Sequence, residues 1–287
     1  MIRHHTIDGI ELFSCQPSKP SAKPPVLFIH GAFAGAWMWS ETFMPFLAAA
    51  GFACHALSLR GHGGSAGRQE LDWYSVDDYV ADVATVIAAL GETPVLAGHS
   101  MGGFIVQKML EQRPLPGAAL ICSVPPQGLL AAQFYLLFKK PQLFTEINRV
   151  LAGHYTDTAT LREALFAGAA DEAMLTAWLG KMQAESQRAL WDMSLFNLPR
   201  LSAMHPSPML ILGAGEDVLV PSFLVHNTAH AYGLPCHIFP GMGHAITHEK
   251  EWPLVAAMLR DWLATLEPLS PDVDCVAQMG RVTAHSW

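Results

Sequence analysis

Gly98-His99-Ser100-Met101-Gly102 sets a serine between two glycines, with the apolar run Pro94-Val95-Leu96-Ala97 before it and Phe104-Ile105-Val106 and Met109-Leu110 after it. That succession predicts a strand turning sharply into a helix, with Ser100 exposed at the corner as a nucleophile. A serine hydroxyl is a poor nucleophile unless a base lies within hydrogen-bond reach and a carboxylate orients that base. Of the 14 histidines, His244 is the best placed, because Pro240-Gly241-Met242-Gly243 follows the last strand-like run and lets the loop swing the imidazole inward. Asp217 supplies the carboxylate from Gly215-Glu216-Asp217, just after the run Met209 to Gly213, with Glu216 as the fallback. The other strand end that could offer an acid, Gly117 to Val124, is followed only by Pro125-Pro126. Two backbone amides complete the set: Met101 N–H at the start of the helix, and Ala32 N–H after His30-Gly31, both aimed where an oxyanion would form.

Several other patterns carry less. Gly63-Gly64-Ser65-Ala66-Gly67 repeats the serine motif, but Arg68-Gln69-Glu70 follows it without a helical stripe, so it reads as a surface loop. His30 and His99 flank the catalytic positions and are expected to be structural or to line the pocket. His248 is expected in the first turn of the closing helix, facing solvent. His226 and His230, four apart on a helix, read as a solvated face, and His244 to His248 lacks the glutamate of a zinc-protease motif. No phosphate loop or dinucleotide fingerprint is present, so no metal and no cofactor are expected.

The elements that must position these residues follow from the apolar pattern. Ile2 to Cys15 reads as a hairpin turning at Asp8-Gly9, and Val26 to Ile29, Phe52 to Leu59, Pro94 to Ala97 and Gly117 to Val124 read as strands buried on both faces. Helices capped by Ser40 and Ser75 alternate with them, which implies right-handed crossovers and a mostly parallel sheet covered on both faces. From Pro125 to about His205 the alternation stops, and helices are expected over Leu129–Phe138, Leu143–Ala152, Thr158–Ala167, Glu172–Arg188 and Leu190–Leu195. It resumes with strands at Met209 to Gly213 and Cys236 to Phe239 and helices at Pro221 to Tyr232 and Glu249 to Leu266. The expected organisation is a core of residues 1–124 and 206–268, a helical lid of 125–205, and a C-terminal tail of 269–287.

The chain has 287 residues, 51% of them hydrophobic, enough to bury a large core, and a net charge of −8 with no basic cluster, which argues against nucleic acid as the main partner. A small hydrophobic substrate fits better. Five scattered cysteines in apolar runs read as reduced core residues. With neither a signal-like apolar segment nor a run long enough to span a bilayer, no integral membrane segment and a cytoplasmic location are expected. The surplus of large apolar side chains in 125–205 suggests a pocket above Ser100, with Phe33, His99, Phe134, Phe138, Trp178 and Trp191 as its expected lining.

His30-Gly31-Ala32, Arg60-Gly61-His62-Gly63-Gly64-Ser65, Gly98 to Gly103, Gly215-Glu216-Asp217 with Val220-Pro221, and Gly243-His244 together resemble the α/β-hydrolase fold family, in its lid-bearing esterase and lipase-like group. The resemblance covers about 26–266 apart from the insertion. The order Ser100, Asp217, His244 is the one this fold uses. It implies a serine hydrolase that cleaves a carboxylic ester through an acyl-enzyme. C–C bond, thioester, lactone and amide hydrolysis use the same triad, and a ligand-binding receptor or a cofactor-free oxygenase can occupy the same fold.

Overall fold

Asp8 and Gly9 join β1 (Ile2–Ile7) to β2 (Ile10–Cys15), with φ of 48° and 81°, the pair of left-handed residues that an Asp-Gly hairpin turn requires. The computed structural model describes residues 1–19, 22–151, 154, 156–168 and 170–269. The tail expected over 269–287 therefore lies, beyond its first residue, outside the described residues. After the hairpin come β3 (Val26–Ile29), α1 (Trp37–Ser40), α2 (Phe43–Ala49), β4 (Cys54–Leu57), α3 (Val76–Leu90), β5 (Val95–His99), α4 (Met101–Leu110) and β6 (Ala118–Ile121). Five helices follow: α5 (Leu130–Lys139), α6 (Pro141–Leu151), α7 (Thr158–Leu165), α8 (Glu172–Lys181) and α9 (Gln187–Trp191). The chain then returns to the sheet with β7 (Met209–Ala214), α10 (Ser222–Tyr232), β8 (His237–Phe239) and α11 (Trp252–Leu263).

The eight strands form one sheet in the order β1-β2-β4-β3-β5-β6-β7-β8. Only the hairpin and its junction with β4 are antiparallel; every pair from β4 to β8 is parallel. The central strands are short and apolar throughout because both of their faces are covered. Along β3, Leu27 and Ile29 pack on the side of α3 and α4, while Val26 and Phe28 pack on the side of α1, α2 and α11. Among the described residues no helix is long and apolar enough to cross a membrane.

Several expected boundaries move. The strands expected over Phe52 to Leu59 and Gly117 to Val124 shorten to Cys54–Leu57 and Ala118–Ile121, and the helix expected over Leu190–Leu195 shifts to Gln187–Trp191. Three further changes have a clear local reason. The helix expected from Ser40 to Ala50 is two short helices, and Ser40 closes the first by donating to the Trp37 carbonyl at 2.9 Å. The helix expected over Glu172–Arg188 stops at Lys181, and the chain runs extended until α9, where Ser186 accepts the Ala189 N–H as a cap. The closing helix starts at Trp252 with Pro253 in its first turn, a position where the missing proline N–H is harmless. His248 is consequently in the turn before that helix and not on its solvent face; it is half-buried, edge-on to Trp178 at 4.7 Å between ring centroids.

The junction of β5 with α4 is the tightest place in the sheet. A Cβ on Gly102 would lie 2.3 Å from the Ile29 carbonyl oxygen, and one on Gly98 would lie 2.2 Å from the Gly102 carbonyl oxygen. Both neighbours are backbone and cannot rotate away. Gly102→Ala is therefore expected to lower stability by at least about 2 kcal/mol, in the upper part of the range for over-packed cores. A urea melt of the variant reads this directly, and an unchanged midpoint would mean that α4 does not rest on β3 as described.

Four histidines are held neutral inside the fold. Burial pushes His30 and His99 down to about 3, and His55 and His248 down to about 4. Their folded values lie below the unfolded one, so the stability associated with them is complete above about pH 6.5 and drains away as the pH falls toward 4, by about 1.4 kcal/mol per pH unit for each ring. Differential scanning calorimetry is expected to show a thermal midpoint several degrees lower at pH 5 than at pH 7, with uptake of more than one proton on unfolding. Equal midpoints would contradict the burial of these rings.

Candidate active site

Ser100 occupies the corner between β5 and α4 with φ 54° and ψ −115°, a conformation that costs a non-glycine residue about 1–3 kcal/mol and persists only where the surroundings enforce it. The enforcement comes from the end of β6 and the loop that follows it. Ser100 N–H donates to the Ile121 carbonyl at 3.0 Å, and the Ser100 carbonyl accepts from Val124 N–H at 3.2 Å. Met101 is the first residue of α4, so its amide is one that the helix itself cannot satisfy. The rival serine is used differently: Ser65 donates to the Ser58 carbonyl and accepts the Glu11 N–H at 2.8 Å, as part of a loop.

Asp217 sits just past β7, 3% exposed. One of its oxygens, Oδ1, accepts the N–H groups of Leu219 and Val220, both at 2.8 Å, and the other, Oδ2, accepts His244 Nδ1–H at 2.7 Å. With both oxygens engaged the carboxylate cannot rotate, and the histidine tautomer with its lone pair on Nε2 is the one stabilised. Glu216, the fallback acid, is exposed. The Cys122 thiol also hydrogen-bonds to Asp217; burial first, and the carboxylate charge second, push its pKa well above the ordinary thiol value. His99 Nε2–H donates to the His244 carbonyl at 2.9 Å, which supports the loop carrying His244.

The loop after β3 crosses the same sheet edge. His30 Nδ1–H donates to the Gly31 carbonyl at 2.7 Å, and its Nε2 accepts the Leu59 N–H at 3.0 Å. Those partners require the neutral ring that burial already favours. Gly31 passes so close to the elbow that a Cβ there would meet Ser100 Cβ at 3.1 Å. Ala32, next in the chain, lies half-buried beside the serine.

Ser100, His244, Gly31 and Ala32 line one cavity of about 160 Å³. Its remaining wall is almost wholly apolar: Phe33, Trp37 and Met38 from the core, and Ile147, Val150, Leu161, Ala164, Leu165, Trp178 and Met182 from the helices between β6 and β7. Of the expected lining, Phe33, His99 and Trp178 are there. Phe134, Phe138 and Trp191 are not: they are 58%, 77% and 55% exposed on the outside of the inserted helices. Helix α5 buries Ala132 and Leu136 instead, and Trp191 leans on Phe196, 6.2 Å between ring centroids. Ile147, Val150, Leu161 and Leu165 carried no sequence signal beyond helical spacing.

His99, Cys122 and His244 each bring a ligand-type atom within 4.8 Å of the other two. His99 Nδ1 and His244 Nε2 keep their lone pairs, but the third group, the Cys122 thiol, is hydrogen-bonded to Asp217, and burial beside that carboxylate opposes the thiolate a metal needs. The arrangement provides a hydroxyl and a histidine–carboxylate pair beside an apolar space, with the first amide of α4 next to the hydroxyl, a set of parts suited to acyl transfer.

The chain is similar to proteins of known sequence and structure. The chain is 25% identical over 248 residues to a monoacylglycerol lipase of Mycolicibacterium smegmatis, covering 84% of this chain and 88% of that one. Its fold is similar to that of an esterase from Exiguobacterium antarcticum (TM-score 0.70, 18% identity, 92% of this chain and 100% of that one). It is similar also to a bromoperoxidase from Bacillus anthracis (TM-score 0.67, 20% identity, 92% and 100%). Residues 26–258 match the model of the alpha/beta hydrolase family, and the chain belongs to that family.

Proposed function

We propose that the protein is a carboxylic ester hydrolase working through a serine acyl-enzyme. The observation that carries this reading is the locked Asp217–His244 pair, 2.7 Å apart, opening with Ser100 onto a single apolar cavity. In this scheme Ser100 Oγ attacks the ester carbonyl carbon while His244 Nε2 takes its proton. The carbonyl oxygen gains negative charge and is held by the Ala32 and Met101 N–H groups. His244 then delivers the proton to the leaving alkoxide, the alcohol departs, and water repeats the sequence on the acyl-enzyme to regenerate Ser100. Asp217 keeps the ring oriented and stabilises the imidazolium; it holds its charge throughout.

The substrate carries a compact apolar part. A cavity of about 160 Å³ is close to the engineered space of about 150 Å³ that holds benzene in another protein, so a ring or a chain of about six carbons fills it. Residues 125–205, which supply nine of the twenty residues lining the cavity, act as a lid over Ser100.

Ser100→Ala is expected to reduce turnover of p-nitrophenyl butyrate by at least about a thousandfold while leaving the fold intact by circular dichroism; activity surviving that change would remove the nucleophile assignment. Across a p-nitrophenyl ester series, kcat/KM is expected to peak near the butanoate and hexanoate and to fall at least about tenfold by the palmitate, where the chain exceeds the cavity. A palmitate optimum would show that the apolar part lies elsewhere.

A further inference from the structure

Between α8 and α9 the inserted segment leaves the cavity wall and runs beside the loop that follows β3. Gln183 N–H donates to the Phe33 carbonyl at 3.2 Å, and Glu185 Oε2 accepts the Phe33 N–H at 3.4 Å. The residue directly after Ala32 is thus held at both of its backbone groups. Phe33 has φ of 65°, in a region where a bulky side chain is strained and stays only under external restraint.

Glu185 is an unusual residue to find there. It is 3% exposed, and its Oε1 also accepts Tyr79 Oη–H and the Ser186 N–H, each at 2.8 Å. Its Oε2 faces His62 Nε2 at 3.1 Å, and His62 Nδ1 faces the Arg60 carbonyl at 3.1 Å. Both ring nitrogens therefore meet acceptors, as an imidazolium requires. Burial alone would push the His62 pKa down, but the Glu185 charge and hydrogen bond outweigh it and raise it. Burial likewise opposes the charge on Glu185, yet His62 and the amide and hydroxyl donors hold its pKa below the ordinary value. A buried ion pair is often no more stabilising than an apolar filling of the same volume, so stability is a weak reason for this one.

Its position supplies a better reason. His62 packs against His30, 5.1 Å between ring centroids, and His30 Nδ1–H holds the Gly31 carbonyl. The Gly31 carbonyl and the Ala32 N–H belong to one planar trans peptide, so holding the first aims the second in the opposite direction. The next peptide ends in the Phe33 N–H, which Glu185 holds directly. Glu185 therefore reaches both peptide planes that flank the Ala32 Cα, one through its own carboxylate and one through His62 and His30.

We infer that Glu185, carried by the insertion, is a positioning residue for ester hydrolysis: it fixes the loop from Gly31 to Phe33 so that the Ala32 N–H points at the developing oxyanion. The inference rests on the reading of Ser100 and Ala32 given under the proposed function. A small misplacement of such a donor lowers a rate by about ten- to a hundredfold without weakening ground-state binding.

The test compares the full-length parent with Glu185→Gln, Glu185→Asp and, as a matched control, Asp192→Asn, whose buried carboxylate ties the insertion to Val76 N–H at 3.1 Å and to Arg188 without touching the loop. On p-nitrophenyl butyrate, Glu185→Gln is expected to lower kcat about ten- to a hundredfold with KM within about twofold. Its affinity for an alkyl trifluoromethyl ketone, whose adduct with Ser100 carries the oxyanion, is expected to fall by the same factor, and Glu185→Asp to lie between it and the parent. Asp192→Asn should lower the thermal midpoint and leave both kinetic quantities unchanged. If kcat and ketone affinity of Glu185→Gln stay within about twofold of the parent, the positioning role is wrong; should that variant not fold, Glu185→Asp with parental values decides against it equally. A parent that does not turn over the ester, or one whose turnover survives Ser100→Ala, faults the hydrolase reading and is distinguishable from either result.

Discussion

A serine backbone held at φ 54° and ψ −115° is the constraint from which the rest of this molecule follows. Such a corner cannot hold itself, because its neighbours in sequence gain nothing from the strain. It is held from the side: the end of β6 and the loop just after it supply one hydrogen bond to each backbone group of Ser100, and α4 lies against the carbonyls at the end of β3. The sheet order brings β3, β6, β7 and β8 around β5, so every loop that carries a polar group of the site leaves the sheet at the edge where the strained serine projects. The large core on both faces of the sheet supports that edge, and the strain is small beside the burial that anchors it.

The electrostatics of the edge follow from what each histidine ring faces. His30 meets one acceptor and one donor, His99 a single acceptor, and burial in a dry environment keeps both neutral. His62, packed against His30, meets two acceptors, and the Glu185 carboxylate favours its charged form. The same side chain therefore plays opposite electrostatic parts a few ångströms apart. Keeping the rings next to Ser100 uncharged leaves the field at the end of β5 to backbone dipoles, and in the proposed reaction those dipoles face the oxyanion.

Much of this was legible in the residues. Asp8-Gly9, Ser75 and the glycines around Ser100 act locally, through turn geometry, capping and steric room, and local physics can be read in order along a chain. The positions of Asp217 and His244 were legible for a related reason: each directly follows a strand, and strands in a parallel sheet deliver their ends to one edge. The insertion was legible as helices and little more. Helical spacing shows that α5 has apolar residues on it, but not that Leu136 and Ala132 turn inward while Phe134 and Phe138 stay outside, because that choice belongs to the partner surface. Glu185 gave no signal at all. Its partners Tyr79 and His62 lie 106 and 123 positions away in the chain, and nothing local distinguishes a buried glutamate from a solvated one.

The described residues of the insertion are also hydrogen-bonded to the loop that carries His244. Ala245 N–H donates to the Leu165 carbonyl at 2.7 Å, and Glu249 Oε1 accepts the N–H groups of both Ala167 and Gly243, so the end of α7 is joined to the histidine loop much as Gln183 is joined to Phe33. The simplest exchange of such an insertion between members of this fold would cut it at the two points where it leaves the sheet. Here the seams lie elsewhere. A donor insertion grafted after β6 would bring its own helices but no mate for Phe33, His62, Ala245 or Glu249, and the unit that must travel together comprises the helices and three separate loops of the acceptor.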